Sequence, residues 1–263
     1  MVQILKLSQA VFLSALTMLC ATLSAQVVDS SAISKEKPCK TVLNTLLAPT
    51  ILIGTGIATM NDRGWYSSQD AYECIQENYP DFHTNVDDYL VFLPAIAVYG
   101  LNWAGVKGKN NFLDRSLIYV VSVSLAGITT GIIKRSTDVL RPDGSDYLSF
   151  PSSHTALAFA SATFLHEEYK DQSIWYGVAG YSIATASGVL RMLNNKHWMS
   201  DVLVGAGIGI LATKATYLLY PLVKDCIGTR RRQKGASNLS LVPYVAGNHY
   251  GNHYGIHLQY QIH

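Results

Sequence analysis

Residues 112–133 read FLDRSLIYVVSVSLAGITTGII, and the chain turns basic immediately after, at Lys134-Arg135. Beyond Arg115 no charge interrupts this run. About 20 apolar residues in a helix cross the hydrocarbon core of a bilayer. A helix apolar all round has no face to offer water. The run therefore reads as a membrane helix, and the same reading extends outward along the chain. Val42–Met60, Tyr89–Val106, Thr155–Leu165 (extending to Tyr169), Ile174–Leu190 and Val202–Val223 are five further apolar segments that could enter a membrane. Small residues are dense in the last two, with Gly177, Ala179, Gly180 and Ala184 in one and Gly205, Ala206, Gly207 and Gly209 in the other. Such residues let membrane helices approach closely. The expected fold is all-α, a compact multi-span helical bundle.

Composition agrees. Of 263 residues, 49% are hydrophobic and 14% charged, against about a quarter charged in an average soluble domain. Disorder and low complexity are excluded. The net charge is +2, with no basic stripe, so nucleic acid is not an expected partner. Membrane lipids are.

Residues 1–25 read as a signal sequence or N-terminal apolar anchor: Lys6, a short apolar stretch from Ala10 to Leu23, then Ser24-Ala25 before Gln26 as a cleavage site. Residues 26–41 form a polar linker, 42–224 the bundle, and 225–263 a basic segment and tail. Bases in the loops set orientation. Lys107, Lys109, Lys170, Lys224, Arg230, Arg231, Arg232 and Lys234 mark the cytoplasmic side. Asn61–Asp88 carries only Arg63 among several acids and falls outside. A cleaved signal would start residue 26 outside, and Val42–Met60 would then cross inward, against the other loops. Pro49, Gly54 and Gly56 make that run a poor helix, which favours an interfacial position for it. Cys20, Cys39, Cys74 and Cys226 have no metal-ligand spacing and are expected as free thiols. A Cys39–Cys74 disulfide would require both on the oxidising side.

Three polar clusters lie at span ends: Lys134 to Pro142, Phe150 to His154 and Arg191 to Asp201. Lys134, Arg141 and Arg191 are three cations near one membrane face, on the side where basic anchors do not gather. Taken as unpaired, they need an anion, and guanidinium forks fit phosphate oxygens. Ser152, Ser153 and His154 open a helix, whose N-terminus is a phosphate site in the making. His197 and Asp201 are four apart at the start of the last helix, so they share a face. The carboxylate can hold one ring nitrogen and leave the other as a nucleophile. A purely structural His–Asp pair reads equally well from these two residues alone. His154 is a second histidine, available as a general acid. No G-x-S-x-G elbow surrounds Ser152 or Ser153, which disfavours a serine hydrolase.

Lys134-x6-Arg141-Pro142, then Pro151-Ser152-Ser153-His154, then Arg191-x5-His197-x3-Asp201 resembles the three ordered motifs of the type 2 phosphatidic acid phosphatase superfamily. The group spans membrane lipid phosphatases, acid phosphatases and vanadium haloperoxidases. The resemblance implies that Lys134, Arg141, Ser152, Ser153 and Arg191 bind phosphate. It implies that His197 attacks phosphorus, Asp201 orients it and His154 protonates the leaving oxygen, with no metal or organic cofactor. Two positions depart from the pattern. Ser153 stands where the family usually has glycine, and Leu190 where it usually has serine. The signal-like start and outward site most resemble the lipid A and polyprenyl pyrophosphate phosphatases of Gram-negative inner membranes. The implied substrate is a lipid phosphate or pyrophosphate (lipid A, undecaprenyl pyrophosphate or phosphatidylglycerol phosphate) held at the periplasmic face. The alternatives are an acid phosphatase for soluble esters, or a protein that binds or transports a phospholipid without hydrolysing it.

In the tail, Ile256, Leu258, Tyr260 and Ile262 alternate with polar residues, and Gly247-Asn248-His249-Tyr250 repeats at once as Gly251-Asn252-His253-Tyr254. A short β-hairpin is expected, in preference to metal binding by His249, His253, His257 and His263.

Overall fold

The computed structural model describes residues 38–60, 66–235, 239–248 and 251–260, with side chains placed over 46–60 and 66–224. The expected signal sequence, most of the polar linker, Cys20, Arg63, His249 and His263 lie outside the described residues. So do the side chains of Cys39, Cys226, His253 and His257. Cys74 is a free, exposed thiol.

Among the described residues, eight helices follow in order: α1 (Pro38–Ala58), α2 (Ser68–Asn78), α3 (Val86–Leu90), α4 (Leu93–Trp103), α5 (Phe112–Thr137), α6 (Ser153–Tyr169), α7 (Ile174–Leu193) and α8 (Met199–Gly235). Two compact units divide the chain, Met1–Thr216 and Tyr217–His263. In the second, β1 (Leu239–Asn248) and β2 (Gly251–Tyr260) pair antiparallel, from Leu239 opposite Tyr260 to Asn248 opposite Gly251.

The first unit is built around α6. Ala156, Ala158, Ala160, Ala162 and Phe164 are all fully buried, so this helix has neighbours on every side. Its alanines let them come close. A Cβ on Gly205 would lie 2.5 Å from the Ser152 carbonyl, and one on Gly209 would lie 2.1 Å from that of Ala156. These glycines, one helical turn apart, bring the α8 backbone onto the start of α6.

Helix α5 is two-faced without being amphipathic. Ile118, Ser122, Ala126 and Thr130 are buried, a stripe at a spacing of four that ends in Lys134. Leu117, Val120, Val121, Leu125, Ile128 and Ile132 are exposed, an apolar face suited to lipid. Asn111 caps the helix start by accepting from the Asp114 N–H, and Asp138 ends it in the left-handed region at φ 46°.

Two expectations need correction. First, α1 runs unbroken to Ala58 with Pro49 inside it, where a poor helix was expected. Packing supplies what propensity lacks: the Pro49 carbonyl sits so close to Gly207 that a Cβ there would lie 2.8 Å away. Ile53 joins Phe150, Val204 and Ile208 in one buried cluster. Second, Tyr89–Val106 is not one span. The chain turns at Val91-Phe92 between α3 and α4, and Pro94, with no N–H to lose, sits in the first turn of α4. Among the described residues, two helices are long and apolar enough to cross a membrane, α5 and the Met199–Lys224 part of α8. With them the chain is a membrane protein built as a helical bundle.

Candidate active site

The ends of four helices converge. Lys134 and Arg191 lie in the last turns of α5 and α7, and Ser152-Ser153-His154 and Asp201 in the first turns of α6 and α8. The Ser152 N–H donates to the Asp201 carbonyl at 3.1 Å, which joins two of the motifs directly. The loop carrying Arg141 closes the ring. Phe150 is buried before a cis peptide bond to Pro151, and the Phe150 carbonyl accepts from the Thr137 hydroxyl at 3.1 Å.

His197 is placed by the turn before α8, not by the helix itself. Asn195 adopts φ 60° there, a conformation asparagine tolerates. His197 Nδ1 then lies 3.3 Å from Asp201 Oδ2, with side chains 1% and 0% exposed. Asp201 also accepts from the Trp198 N–H at 3.0 Å and from the Ser149 hydroxyl. Its orientation is therefore fixed independently of the histidine. No described residue hydrogen-bonds His197 Nε2. Burial pushes the His197 pKa below the usual histidine value; the Asp201 hydrogen bond and charge oppose that shift, and the Lys134 and Arg191 charges reinforce it.

Two of the three cations, Arg141 and Arg191, are paired, which corrects the expectation for them. Arg141 Nε donates to Asp146 Oδ1 at 2.8 Å. Arg191 Nη1 donates to Asp87 Oδ2 at 2.8 Å, while its buried Nε has no partner among the described residues. Lys134 has no carboxylate at ion-pair distance among them, but it is within electrostatic reach of Arg141, Asp201, Asp146 and Arg191. Nearby, Lys196 Nζ donates to Asp143 Oδ2 at 2.8 Å. Burial alone would raise the Asp143 pKa; the hydrogen bonds from Lys196 and Ser145 outweigh it and hold the carboxyl at about 2.

The serines have local duties. Ser152 is fully buried as the N-cap of α6, its hydroxyl accepting from the Thr155 N–H. Ser153, the residue in glycine's usual place, donates through Oγ to Thr130 Oγ1 on α5 at 3.1 Å. Its extra atoms point into a helix contact. His154 Nε2 lies 3.0 Å from Asp88 Oδ1 at a half-exposed position.

Several residues at this end carried no sequence signal. Asp87, Asp88 and Asn194 belong to a latch between α3 and the end of α7: Asn194 Nδ2 donates to Asp87 Oδ1 at 3.1 Å and to the Thr84 carbonyl at 2.8 Å. Ser68 accepts from the Ser200 N–H at 3.0 Å, and the Tyr72 ring lies 5.2 Å from that of Trp198. The acids of Asn61–Asp88 were legible as charge, but not as partners of Arg191 and His154. At the far end, Lys109 and Glu168 are joined by a backbone hydrogen bond, and Gln172 donates to the Lys107 carbonyl. The basic loops thus collect opposite the site.

Comparison with known proteins bears on the same residues. Residues 115–225 match the PAP2 superfamily, an interval that holds Lys134 to Asp201. Over 175 residues the chain is 37% identical to the lipid A 1-phosphatase of Porphyromonas gingivalis, a match covering 64% of this chain. It spans only 39% of the length of that relative. Among solved structures, LpxE of Aquifex aeolicus aligns at 20% identity and a TM-score of 0.42, over 55% of this chain and 93% of that one. A transmembrane PAP2-type phosphatidylglycerolphosphate phosphatase of Bacillus subtilis aligns at 20% identity and 0.44, over 70% and 96%.

Proposed function

From a chain whose residues 115–225 match the PAP2 superfamily, we propose a membrane phosphatase that hydrolyses a lipid phosphate or pyrophosphate. The observation that carries this reading is the enclosed His197–Asp201 pair beside Lys134 and Arg191. A buried histidine held by a fixed carboxylate, its pKa lowered first by burial and further by nearby cations, is a nucleophile awaiting an electron-poor centre. Phosphorus in a phosphate ester held by those cations is such a centre.

Lys134, Arg141 and Arg191 hold the non-bridging oxygens and offset the charge that develops on them in the transition state. His197 Nε2 attacks phosphorus as the bond to the leaving oxygen breaks. Asp201 stabilises the positive charge arising on the ring. His154 gives its proton to the leaving oxygen and takes one back from the water that cleaves the phosphorus–nitrogen bond. Each step is carried by side chains of this chain, and no metal or organic cofactor enters the scheme. Ser152 and Ser153 contribute the α6 N-terminus, whose free N–H groups and dipole favour the anion.

The lipid class follows from where the site sits. It lies at the ends of helices apolar enough to span a membrane, and α5 exposes an apolar face suited to lipid. The relative's name, lipid A 1-phosphatase, makes the lipid A class the first to assay. Loop bases at the far end support a cytoplasmic position for that end, and with it a site at the periplasmic face of an inner membrane. The domain reading stands as a proposal too: a leader over 1–25, a linker over 26–41, the bundle over 42–224 and the tail over 225–263.

The test is phosphate release by the detergent-solubilised full chain, wild type beside His197→Ala, with chelator present. The substrates are lipid A, undecaprenyl pyrophosphate, phosphatidylglycerol phosphate and a soluble aryl phosphate. Release from a lipid that vanishes in His197→Ala is expected. Release from the soluble ester alone would favour a broad acid phosphatase. Lipid binding without release would mean a binding or transport protein.

A further inference from the structure

The five paired carboxylates at the site end differ in what holds them. Asp201 accepts from Trp198, Ser149 and His197. Asp87 is enclosed between Arg191 and Asn194. Asp146 accepts from the Leu148 N–H as well as from Arg141, and Asp143 from the Ser145 N–H as well as from Lys196. Each has an anchor outside the proposed phosphate-binding set. Asp88 has none. Its Oδ1 lies 3.0 Å from His154 Nε2 and 3.9 Å from Arg191 Nη1, and its side chain is 55% exposed. Every side-chain contact it makes is to a group that the proposed function assigns to the substrate.

A carboxylate between an imidazole and a guanidinium offers them the chemistry a phosphate oxygen would offer. We infer that Asp88 is a built-in competitor. It occupies His154 and Arg191 while the site is empty, and an incoming phosphate must displace it. The backbone under it stays put, because Asp87 ties α3 to Arg191 and Asn194. The side chain is free to leave, because it is half in solvent and has nothing else to release. A dianionic phosphate at Arg191 repels it and supplies the contact it gives up. Weakly charged headgroups do neither, so the arrangement selects for ligands with a full phosphate charge. This rests on the proposed function only for the identity of the ligand as a phosphate.

The experiment is calorimetric titration of the purified full chain with inorganic phosphate, comparing wild type, Asp88→Asn and Asp88→Glu. Removing one like charge near a partly exposed anion site is worth about tenfold in affinity. Asp88→Asn is therefore expected to bind phosphate about tenfold tighter, and Asp88→Glu to stay near wild type. A structural lesion does not tighten binding, so a gain is diagnostic. Unchanged or weaker binding in Asp88→Asn would overturn the inference and make Asp88 a positioning residue for His154. In turnover assays the competitor predicts a lower KM with kcat within about twofold, and a drop in kcat at constant KM would count against it. The titration needs no turnover. Wild type that binds phosphate but releases none from any lipid would end the proposed function and leave the Asp88 comparison standing.

Discussion

Arg115 and Glu168 meet at one end of the bundle with side chains 1% and 0% exposed; Arg191 and Asp88 meet at the other with 12% and 55%. Both ends bury cations beside carboxylates, yet they do so differently. At the far end Arg115 Nε donates to Glu168 Oε2 at 3.2 Å, and its Nη2 donates to the Asn110 carbonyl at 2.7 Å. Asn110 closes the knot on Glu168 with two further hydrogen bonds, at 3.1 and 2.6 Å. Gly108 passes so near that a Cβ would lie 2.7 Å from Glu168 Oε2. At the site end the pairing is looser, and one carboxylate stands in solvent. Buried charge therefore has two meanings in this protein. A closed, hydrogen-bonded pair joins helices; an open set with an exposed member is the proposed anion site.

That contrast breaks most visibly through Asp201. Asp201→Asn should lower kcat by about 10²–10⁴-fold, because His197 loses its orienting charge, with phosphate binding by calorimetry retained. A drop below tenfold would make the pair structural. Arg115→Ala should do the reverse. A buried Glu168 that has lost its guanidinium costs about 3–5 kcal/mol of stability, read as a lower melting temperature, while the fraction that stays folded keeps its kcat. Loss of turnover without loss of stability would place Arg115 in the chemistry.

Gly205→Ala probes the junction of α6 and α8. Its Cβ would meet the Ser152 carbonyl at 2.5 Å, so the helices must separate, at a cost of about 1–3 kcal/mol and with the His197–Ser152 geometry disturbed. Stability and kcat should fall together. Ser153→Gly sharpens the comparison at the small end. Loss of the bond to Thr130 is worth about 1 kcal/mol, and turnover should stay within a few-fold, since the hydroxyl serves the helix contact.

A pH series separates the two ends without mutation. The buried His197 has its pKa held below 6.5, so it stays neutral and nucleophilic through mildly acidic conditions. The acid limb of kcat/KM should fall below pH 6.5. The stability sign is the same. A folded pKa below the unfolded one means that stability is lost as pH drops below 6.5, when the unfolded histidine takes up the proton first. A limb above 6.5 would show that the Asp201 charge outweighs burial.

The motifs Lys134 to Pro142, Pro151 to His154 and Arg191 to Asp201 were legible as a set because their chemistry is local. Spacing of four pairs His197 with Asp201, and a serine before a helix announces a cap. The apolar runs announced a membrane bundle because lipid leaves helices few alternatives. The expectation of a poor helix around Pro49 was misleading, since propensity says nothing of the Gly207 face that receives it. Taking Arg141 and Arg191 as unpaired failed as well. Asp87 reaches Arg191 from α3 over 104 positions, which leaves no local trace, and Asp146 reaches Arg141 by the closing of a five-residue loop.

Sequence alone therefore determined the class of fold, the eight candidate site residues and the chemistry open to them. These follow from residue type, hydrophobic run length and short-range spacing. Tertiary structure decided which carboxylates answer which cations, that Ser153 faces Thr130, and that Asp88 stands at His154. It also decided that one end of the bundle is sealed and the other open. Those outcomes depend on helix packing distances and loop closure, which are set by close contacts between residues far apart in the chain.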